Sequence, residues 1–194
     1  MKLDKTVFAL HKCIRERYLQ YLEGFSLEQL AVIPEGFRNN LLWNISHAIV
    51  TQQLYCYYNS GLPMYVSEDF IAAYRKGTVP DGHIPTQEEV DTLKELLIST
   101  QEQMEEDYQK GIFTTYTDYL TGLNYPLRCV EDAIYFNNTH EGMHLGLVIA
   151  IKYLKWSIAL NIIKKAKGSS SIAPIMIKVW ILFHRDFSWV FYNE

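Results

Sequence analysis

Apolar residues recur at steps of three and four positions in four long stretches of the chain, the spacing that gathers them on one face of an α-helix. The first predicted helix begins after Asp4, a favourable N-cap residue, and ends at about Leu22, before Gly24. The second begins after Asn39 or Asn40. Its inward-facing positions are predicted to be Trp43, His47, Val50, Leu54 and Tyr57.

The same spacing predicts a third and a fourth long helix. Thr86 and Glu89 have the spacing of a capping box, and the apolar positions that follow lead to a helix end near Gly111. The fourth helix is predicted from about Pro126 onward. Its inward-facing positions are predicted to be Ala133, Asn137, His140, His144, Leu147 and Ile151.

The connections between these helices indicate how they are arranged. The connection from residue 60 to residue 85 is long for a helical bundle, and a short helix is expected in it after Ser67. At about 3.3 Å per residue it can recross the length of a helix, which would allow the second and third long helices to run parallel. Residues 112–125 predict a loop or a short extended piece. The chain is therefore predicted to be all-α, a four-helix bundle with a long crossover between helices two and three.

The fourth predicted helix carries two histidines, His140 and His144, four residues apart on its inward-facing side. This spacing stacks the two imidazoles, so that both can bind one metal ion. If the second and fourth helices are antiparallel and the fourth ends near residue 155, His47 lies at a similar depth and supplies a third ligand. Three imidazoles with an open coordination position are typical of catalytic zinc, and nickel or iron can use the same nitrogens. Such an ion could activate water for hydrolysis or hold a thiol as thiolate for transfer.

Two other interpretations of these histidines stay open. All three could be core histidines satisfied by hydrogen bonds, although burying three unpaired imidazoles would be costly. Alternatively, Glu141 completes the letters of a His-Glu-x-x-His metalloprotease motif, in which the glutamate is the general base. We expect Glu141 instead to be a solvated surface residue. A protease would also need a downstream ligand, and the candidates after His144 are His184, Asp186 and Glu194.

Several polar and aromatic residues lie close to the histidines along the two helices. Asn44 and Asn137 could donate hydrogen bonds to them, although asparagine more often binds nearby backbone. No catalytic residue is assigned. Core or dimer packing, rather than substrate binding, is the interpretation given to Trp43, Tyr55, Tyr57 and Tyr58.

Composition narrows the class of protein. The 194 residues, 48% of them apolar, suffice for a domain with a sizeable core, and a net charge of −4 offers no overall basic surface for nucleic acid. Cys13, Cys56 and Cys129 are isolated in sequence, so neither a disulfide framework nor a thiolate zinc site is predicted, and they are interpreted as buried small side chains. The N-terminal sequence lacks the apolar core of a secretory signal, so a reducing, cytoplasmic location is expected.

The last part of the chain has a different charge. Residues 1–154 contain 12 Lys and Arg against 20 Asp and Glu, whereas residues 155–194 contain 6 against 2. We therefore divide the chain into a helical domain, residues 1–156, and an atypical basic and apolar extension, residues 157–194. Its uninterrupted apolar pieces are too short for stable membrane insertion. The extension could be a helix that packs on the bundle or across a dimer, a membrane-surface or partner-binding segment, or a non-native sequence such as a shifted reading frame.

Residues 34–53, together with the sequence from His140 to Gly146, resemble the DinB-like (DinB/YfiT) superfamily, and the similarity spans residues 1 to about 155. This resemblance implies an up-down-down-up four-helix bundle, often a homodimer, with a divalent metal ion, zinc or nickel, held by His47, His140 and His144. It also implies a small-molecule or thiol substrate, since relatives include metal-dependent thiol S-transferases and a thiol-dependent isomerase. Many members have no known reaction, so a non-catalytic metal-binding or partner-binding bundle is the alternative.

Overall fold

The structure is a computed structural model that describes residues 3–167, with side chains as far as Tyr153. Its regular elements confirm the all-α prediction, since the only strands in the described range are two residues long each. The helices are α1 (Lys5–Gly24), α2 (Leu27–Ala31), α3 (Leu41–Cys56), a 3₁₀ turn (Tyr58–Ser60), α4 (Glu68–Tyr74), α5 (Gln87–Lys110) and α6 (Val130–Lys167). Strands β1 (Tyr119–Leu120) and β2 (Pro126–Leu127) pair antiparallel between α5 and α6.

The chain divides into two compact units, Met1–Ile151 and Lys152–Glu194. The first unit contains both hydrophobic core clusters. Helix α6 continues to Lys167. The predicted linker and apolar segment from Gly168 onward lie outside the described residues. Among the described helices, none combines the length and the apolar character that a membrane span requires.

Side-chain caps begin α1, α3, α4 and α5 where the sequence predicted them. Asn40, rather than Asn39, caps α3 by accepting a hydrogen bond from the Trp43 backbone N–H. Capping boxes begin α2 and α5, and Ser67 caps α4 in the long connection. Helix α5 ends at Gly111, whose φ of 72° is a left-handed conformation that glycine adopts without strain. Helix α6 begins at Val130, later than expected, because the preceding residues pair with β1.

Helix α3 is the central helix of the first unit. Of its residues only Leu54 and Tyr55 are not buried, so the single inward-facing side predicted for this helix is too narrow. Even Gln52 and Gln53 are fully enclosed, and hydrogen bonds satisfy their amides: Gln52 donates to the carbonyl oxygen of Thr100, and Gln53 accepts from the backbone N–H of Tyr65. Enclosure on all sides explains why this helix contains no charged residue.

The contacts of α3 follow a regular order along its neighbours. Towards α5 they advance in the same direction on both helices, from Gln52 with Thr100 to Tyr57 with Asp107. Towards α6 they advance in opposite directions. The α6 partners run from Asn44 with His144 to Tyr55 with Phe136. The N-terminal half of α3 therefore lies beside the middle of α6.

A buried ionic cluster joins α1 to α6. The Arg15 guanidinium binds both carboxylate oxygens of Glu141, with Nε and Nη2 each 2.7 Å from an oxygen, and both side chains have no solvent exposure. His11 Nε2 and Asn137 Nδ2 lie 2.9 and 2.8 Å from the same carboxylate. Burial alone would raise the pKa of Glu141, but the charge of Arg15 and the nearby His11 outweigh it and hold the pKa well below its usual range. Glu141 is therefore an ionised core residue.

Three predictions about burial are wrong. Glu141 is fully buried rather than solvated, because its charge has partners on α1. Leu147 is 42% exposed, since the covered side of α6 follows Glu141 rather than the two histidines. Of the three free cysteines only Cys56 is buried, whereas Cys13 is exposed.

Breaking the buried pair should strongly destabilise the protein. Replacing Glu141 by Met, or Arg15 by Met, leaves the partner charge buried and unpaired, and we expect either change to lower the free energy of unfolding by about 3–5 kcal/mol. The double variant should lose less free energy of unfolding than either single variant, because no unpaired charge remains buried. Urea unfolding followed by circular dichroism measures all three. Lys110→Ala, which breaks the exposed pair with Glu106, is the control and should have little effect.

Candidate metal centre

Three histidines from two helices meet in the first unit. His47 lies on α3, and His140 and His144 lie one turn apart on α6. One nitrogen from each ring lies within 4.8 Å of the others, and the ring centroids are 4.6–5.3 Å apart. His47 is 6% exposed, and the other two are half-buried. The structure thus brings together the three predicted metal ligands. The predicted end of α6 near residue 155 is wrong, but the antiparallel contacts still bring His47 to the level of the pair.

Hydrogen bonds determine the tautomers of two of these rings. His47 Nδ1 lies 2.6 Å from the backbone carbonyl oxygen of Tyr74, which can only accept, so Nδ1 carries the proton. His144 Nδ1 lies 2.8 Å from Asn44 Oδ1. The Asn44 amide cannot be reversed, because its Nδ2 donates to the carbonyl oxygen of Asn40 at 2.7 Å. In both histidines Nε2 is therefore left with its lone pair, as a metal ligand requires.

The third ring has an unsatisfied nitrogen. His140 Nδ1 is buried and has no hydrogen-bond partner within the described part of the chain. A buried polar nitrogen without a partner is costly, so this atom argues against three core histidines satisfied by hydrogen bonds. His47 Nε2 has a weak partner, since the Thr51 hydroxyl lies 3.2 Å away. The donor set as a whole fits a divalent ion that prefers imidazole nitrogen.

The surroundings keep the three imidazoles neutral. Burial lowers the pKa of His47, and the hydrogen bond to Tyr74 offsets only part of this effect. Burial and the neighbouring imidazoles lower the pKa of His140 to about 4 and that of His144 to about 3. All three rings are therefore neutral at neutral pH, and each has one nitrogen lone pair available to bind a cation.

Aromatic rings pack directly against the histidines. Trp43 stacks on His47 with ring centroids 4.5 Å apart and planes 10° from parallel, and its indole N–H donates to Thr78. Tyr55 meets His140 edge-on at 5.8 Å. Trp43 is buried as predicted, but it also restrains a proposed ligand. Its position one turn before His47 is a sequence signal for this contact, whereas the carbonyl of Tyr74 has none.

A cavity of about 530 Å³ lies beside His47 and His140. Its wall is mainly apolar and aromatic, and includes Leu54, Tyr55, Tyr119, Leu123, Phe136 and Met143. Tyr57 is a buried core residue, as predicted, and Tyr55 packs against the same core cluster. Tyr55 also lines the cavity, together with Tyr58, which is 65% exposed. The contribution of β1 and the turn after it could not be predicted, because the segment between α5 and α6 has no periodic pattern of apolar residues.

Of Asn44, Asn137 and Glu141, only Asn44 lies at the three histidines. Asn44 contacts His144, but its amide oxygen accepts this hydrogen bond, and the donor role predicted for it goes to the backbone of Asn40. Asn137 donates to Glu141 in the ionic cluster and does not bind the three histidines. The carboxylate of Glu141 is enclosed in the core, with both oxygens bound by Arg15. It cannot serve as a general base at the histidine cluster, which removes the basis of the metalloprotease interpretation. The downstream ligands that a protease would need, His184, Asp186 and Glu194, lie outside the described residues.

The chain was compared with models of known protein families and with curated proteins. A family model described as the DinB superfamily matches residues 11–148. The matched range covers most of the chain and includes all three clustered histidines. No curated protein matches the chain.

The hydrogen bonds of the cluster predict an uncommon tautomer. In metal-free protein at neutral pH, we expect both His47 and His144 to carry the proton on Nδ1, and long-range ¹H–¹⁵N correlation spectra of the imidazoles measure this directly. Asn44→Leu should abolish the preference at His144 and leave His47 unchanged, because only His144 loses its acceptor. His83 is the internal reference in the same spectra, because its Nε2 lies 3.0 Å from a Glu89 carboxylate oxygen, which can only accept, so its proton is expected on Nε2. A proton on Nε2 of either clustered histidine in the unmutated protein would contradict the assignment.

Proposed function

The chain belongs to the DinB superfamily, and from that premise we propose that its four long helices form an up-down-down-up bundle that holds a divalent metal ion through His47, His140 and His144. Zinc or nickel is the proposed ion, since imidazole nitrogen suits both. We propose further that the protein is a metal-dependent thiol S-transferase or hydrolase acting on a small molecule. The observation that carries the proposal is the convergence of three neutral imidazoles within 4.8 Å.

The order of helix contacts supports the proposed topology. Helices α3 and α5 have contacts that advance in the same direction, which agrees with parallel neighbours joined by the long crossover that contains α4. Contacts between α1 and α5 advance in opposite directions, from Leu3 with Tyr108 to Arg15 with Leu97. Those between α3 and α6 do the same. Together these directions correspond to an up-down-down-up order of α1, α3, α5 and α6.

The geometry of the ligands supports an open site. When bound, a divalent ion would supply Lewis-acid chemistry, by acidifying water or by stabilising a thiolate. Three protein ligands leave room for such an exchangeable group. The role of the chain's own residues is to orient the imidazoles: the Tyr74 carbonyl and the Asn44 amide fix two rings, and Trp43 stacks on one of them. The adjoining apolar cavity would exclude bulk water around a bound substrate.

Metal content tests the proposed ligands. Protein prepared without a metal-affinity tag and reconstituted with zinc or nickel should bind about one ion per chain by elemental mass spectrometry. His47→Ala, His140→Ala and His144→Ala should each lose most of that metal, since each removes one of three ligands. His83→Ala is the matched control and should retain it, because His83 is exposed and pairs with Glu89.

Two outcomes would contradict this assignment. If the unmutated protein binds no ion after reconstitution, the histidines are core residues and the metal proposal fails. If His47→Ala keeps its metal while His144→Ala loses it, the two α6 histidines bind an ion without α3, and the third ligand is wrong.

A low-molecular-weight thiol should distinguish an open site from a closed one. In cobalt-substituted protein, adding a thiol such as 2-mercaptoethanol should change the visible absorption spectrum, because a thiolate would enter the open coordination position. The His83→Ala protein should respond in the same way. If saturating thiol leaves the spectrum unchanged, thiol transfer is excluded. If exchangeable water is also absent, the non-catalytic metal-binding bundle is the better description.

A further inference from the structure

The cavity beside the histidines has one charged group in an otherwise neutral wall. Among the described residues that line it, Lys76 is the only cation besides the histidines, and none is a carboxylate. At about 530 Å³ the cavity is within the range of small-molecule sites, about 300–1,000 Å³. A mainly apolar and aromatic wall with a single cation favours a ligand with an apolar body and one negative charge.

Lys76 is an exposed residue at the edge of the cavity, and its ammonium group is open to a ligand. Within the described residues, Lys76 forms neither an ion pair nor a side-chain hydrogen bond. A Cβ added to Gly122 would lie 3.8 Å from Nζ, so the ammonium group lies close to the backbone of the turn after β1, at a residue with no side chain to cover it. Three N–H donors therefore remain available beside the cavity.

The number of charges narrows the class of ligand. Di- and triphosphates are usually held by several cations or by backbone N–H groups at a helix N-terminus, and this wall offers a single ammonium. One ammonium is suited to one carboxylate. The rings of Tyr55 and Phe136, in edge contact at 5.7 Å, offer an apolar surface on which a flat ring can pack.

We infer that this cavity binds a small aromatic or branched aliphatic monocarboxylate, with its carboxylate on Lys76, its apolar body against Tyr55 and Phe136, and its opposite end toward His47 and His140. The end of the ligand that lies toward the histidines is the end that would react, so its role rests on the proposed function. The carboxylate subsite depends only on the cavity and Lys76. Lys76 is thus a substrate-binding residue that determines specificity.

The test uses a charged probe and its neutral counterpart. In metal-free protein, NMR titration should show that 4-methylbenzoate binds more tightly than 4-methylbenzamide. Lys76→Met should weaken benzoate binding about 5- to 10-fold, an estimate reduced for the partial exposure of the pair, and should leave amide binding unchanged. Lys76→Arg should restore benzoate binding. Arg75→Met is the matched control, because Arg75 is an exposed cation like Lys76 but does not line the cavity.

A second arm separates this inference from the proposed function. Cobalt-loaded protein is titrated with 4-(mercaptomethyl)benzoate, and Lys76→Met should need about 5- to 10-fold more of it for the same spectral change. If both proteins respond equally, the proposed function stands and the carboxylate subsite is wrong. If benzoate binding depends on Lys76 but no metal binds to the unmutated protein, the subsite stands and the proposed function fails. Equal benzoate binding by the unmutated protein and Lys76→Met overturns the inference.

Discussion

A bidentate contact between Arg15 and Glu141, closed off from solvent, fixes how α6 lies against α1. Neither charge could be buried alone, so each side chain requires the other in place before the core can close. Arg15 also donates to the carbonyl oxygen of Leu97 on α5, and the hydroxyl of Tyr18 donates to the carbonyl oxygen of Glu141. One polar cluster thus sets the rotation and the height of three of the four long helices.

The orientation of α6 decides where its histidines point. His140 precedes Glu141 in the chain, and successive residues of an α-helix point about 100° apart around its axis. With Glu141 held toward α1, His140 and His144 are turned toward α3, where His47 lies. A turn of α6 that moved the histidines away would also break the ionic cluster. The Arg15–Glu141 pair and the candidate metal centre share no side chain, but both depend on the same rotation of α6 about its axis.

Sequence analysis predicted the helices and the three histidines because both have local signals. Caps such as Asn40 and Thr86, and the four-residue spacing of His140 and His144, can be recognised from a few neighbouring letters. The ionic cluster has no such signal: Arg15 and Glu141 are 126 positions apart, and a charged residue in isolation predicts a surface position. Leu147 was misplaced for the same reason, since the covered side of α6 follows a buried charge. The cavity wall was missed because β1 and the turn after it have no periodicity.

The lack of charge in α3 has a consequence for how the site is assembled. A helix enclosed on all sides and without ionisable groups other than histidine, cysteine and tyrosine gains its stability from neighbours rather than from its own sequence. It is therefore expected to become ordered only as α1, α5 and α6 close around it. Because His47 lies on this helix, the three imidazoles can converge only where α3 is packed against α6. A ligand that binds only the complete cluster would stabilise the native state. The added free energy of unfolding would grow with the logarithm of the ligand concentration above its Kd.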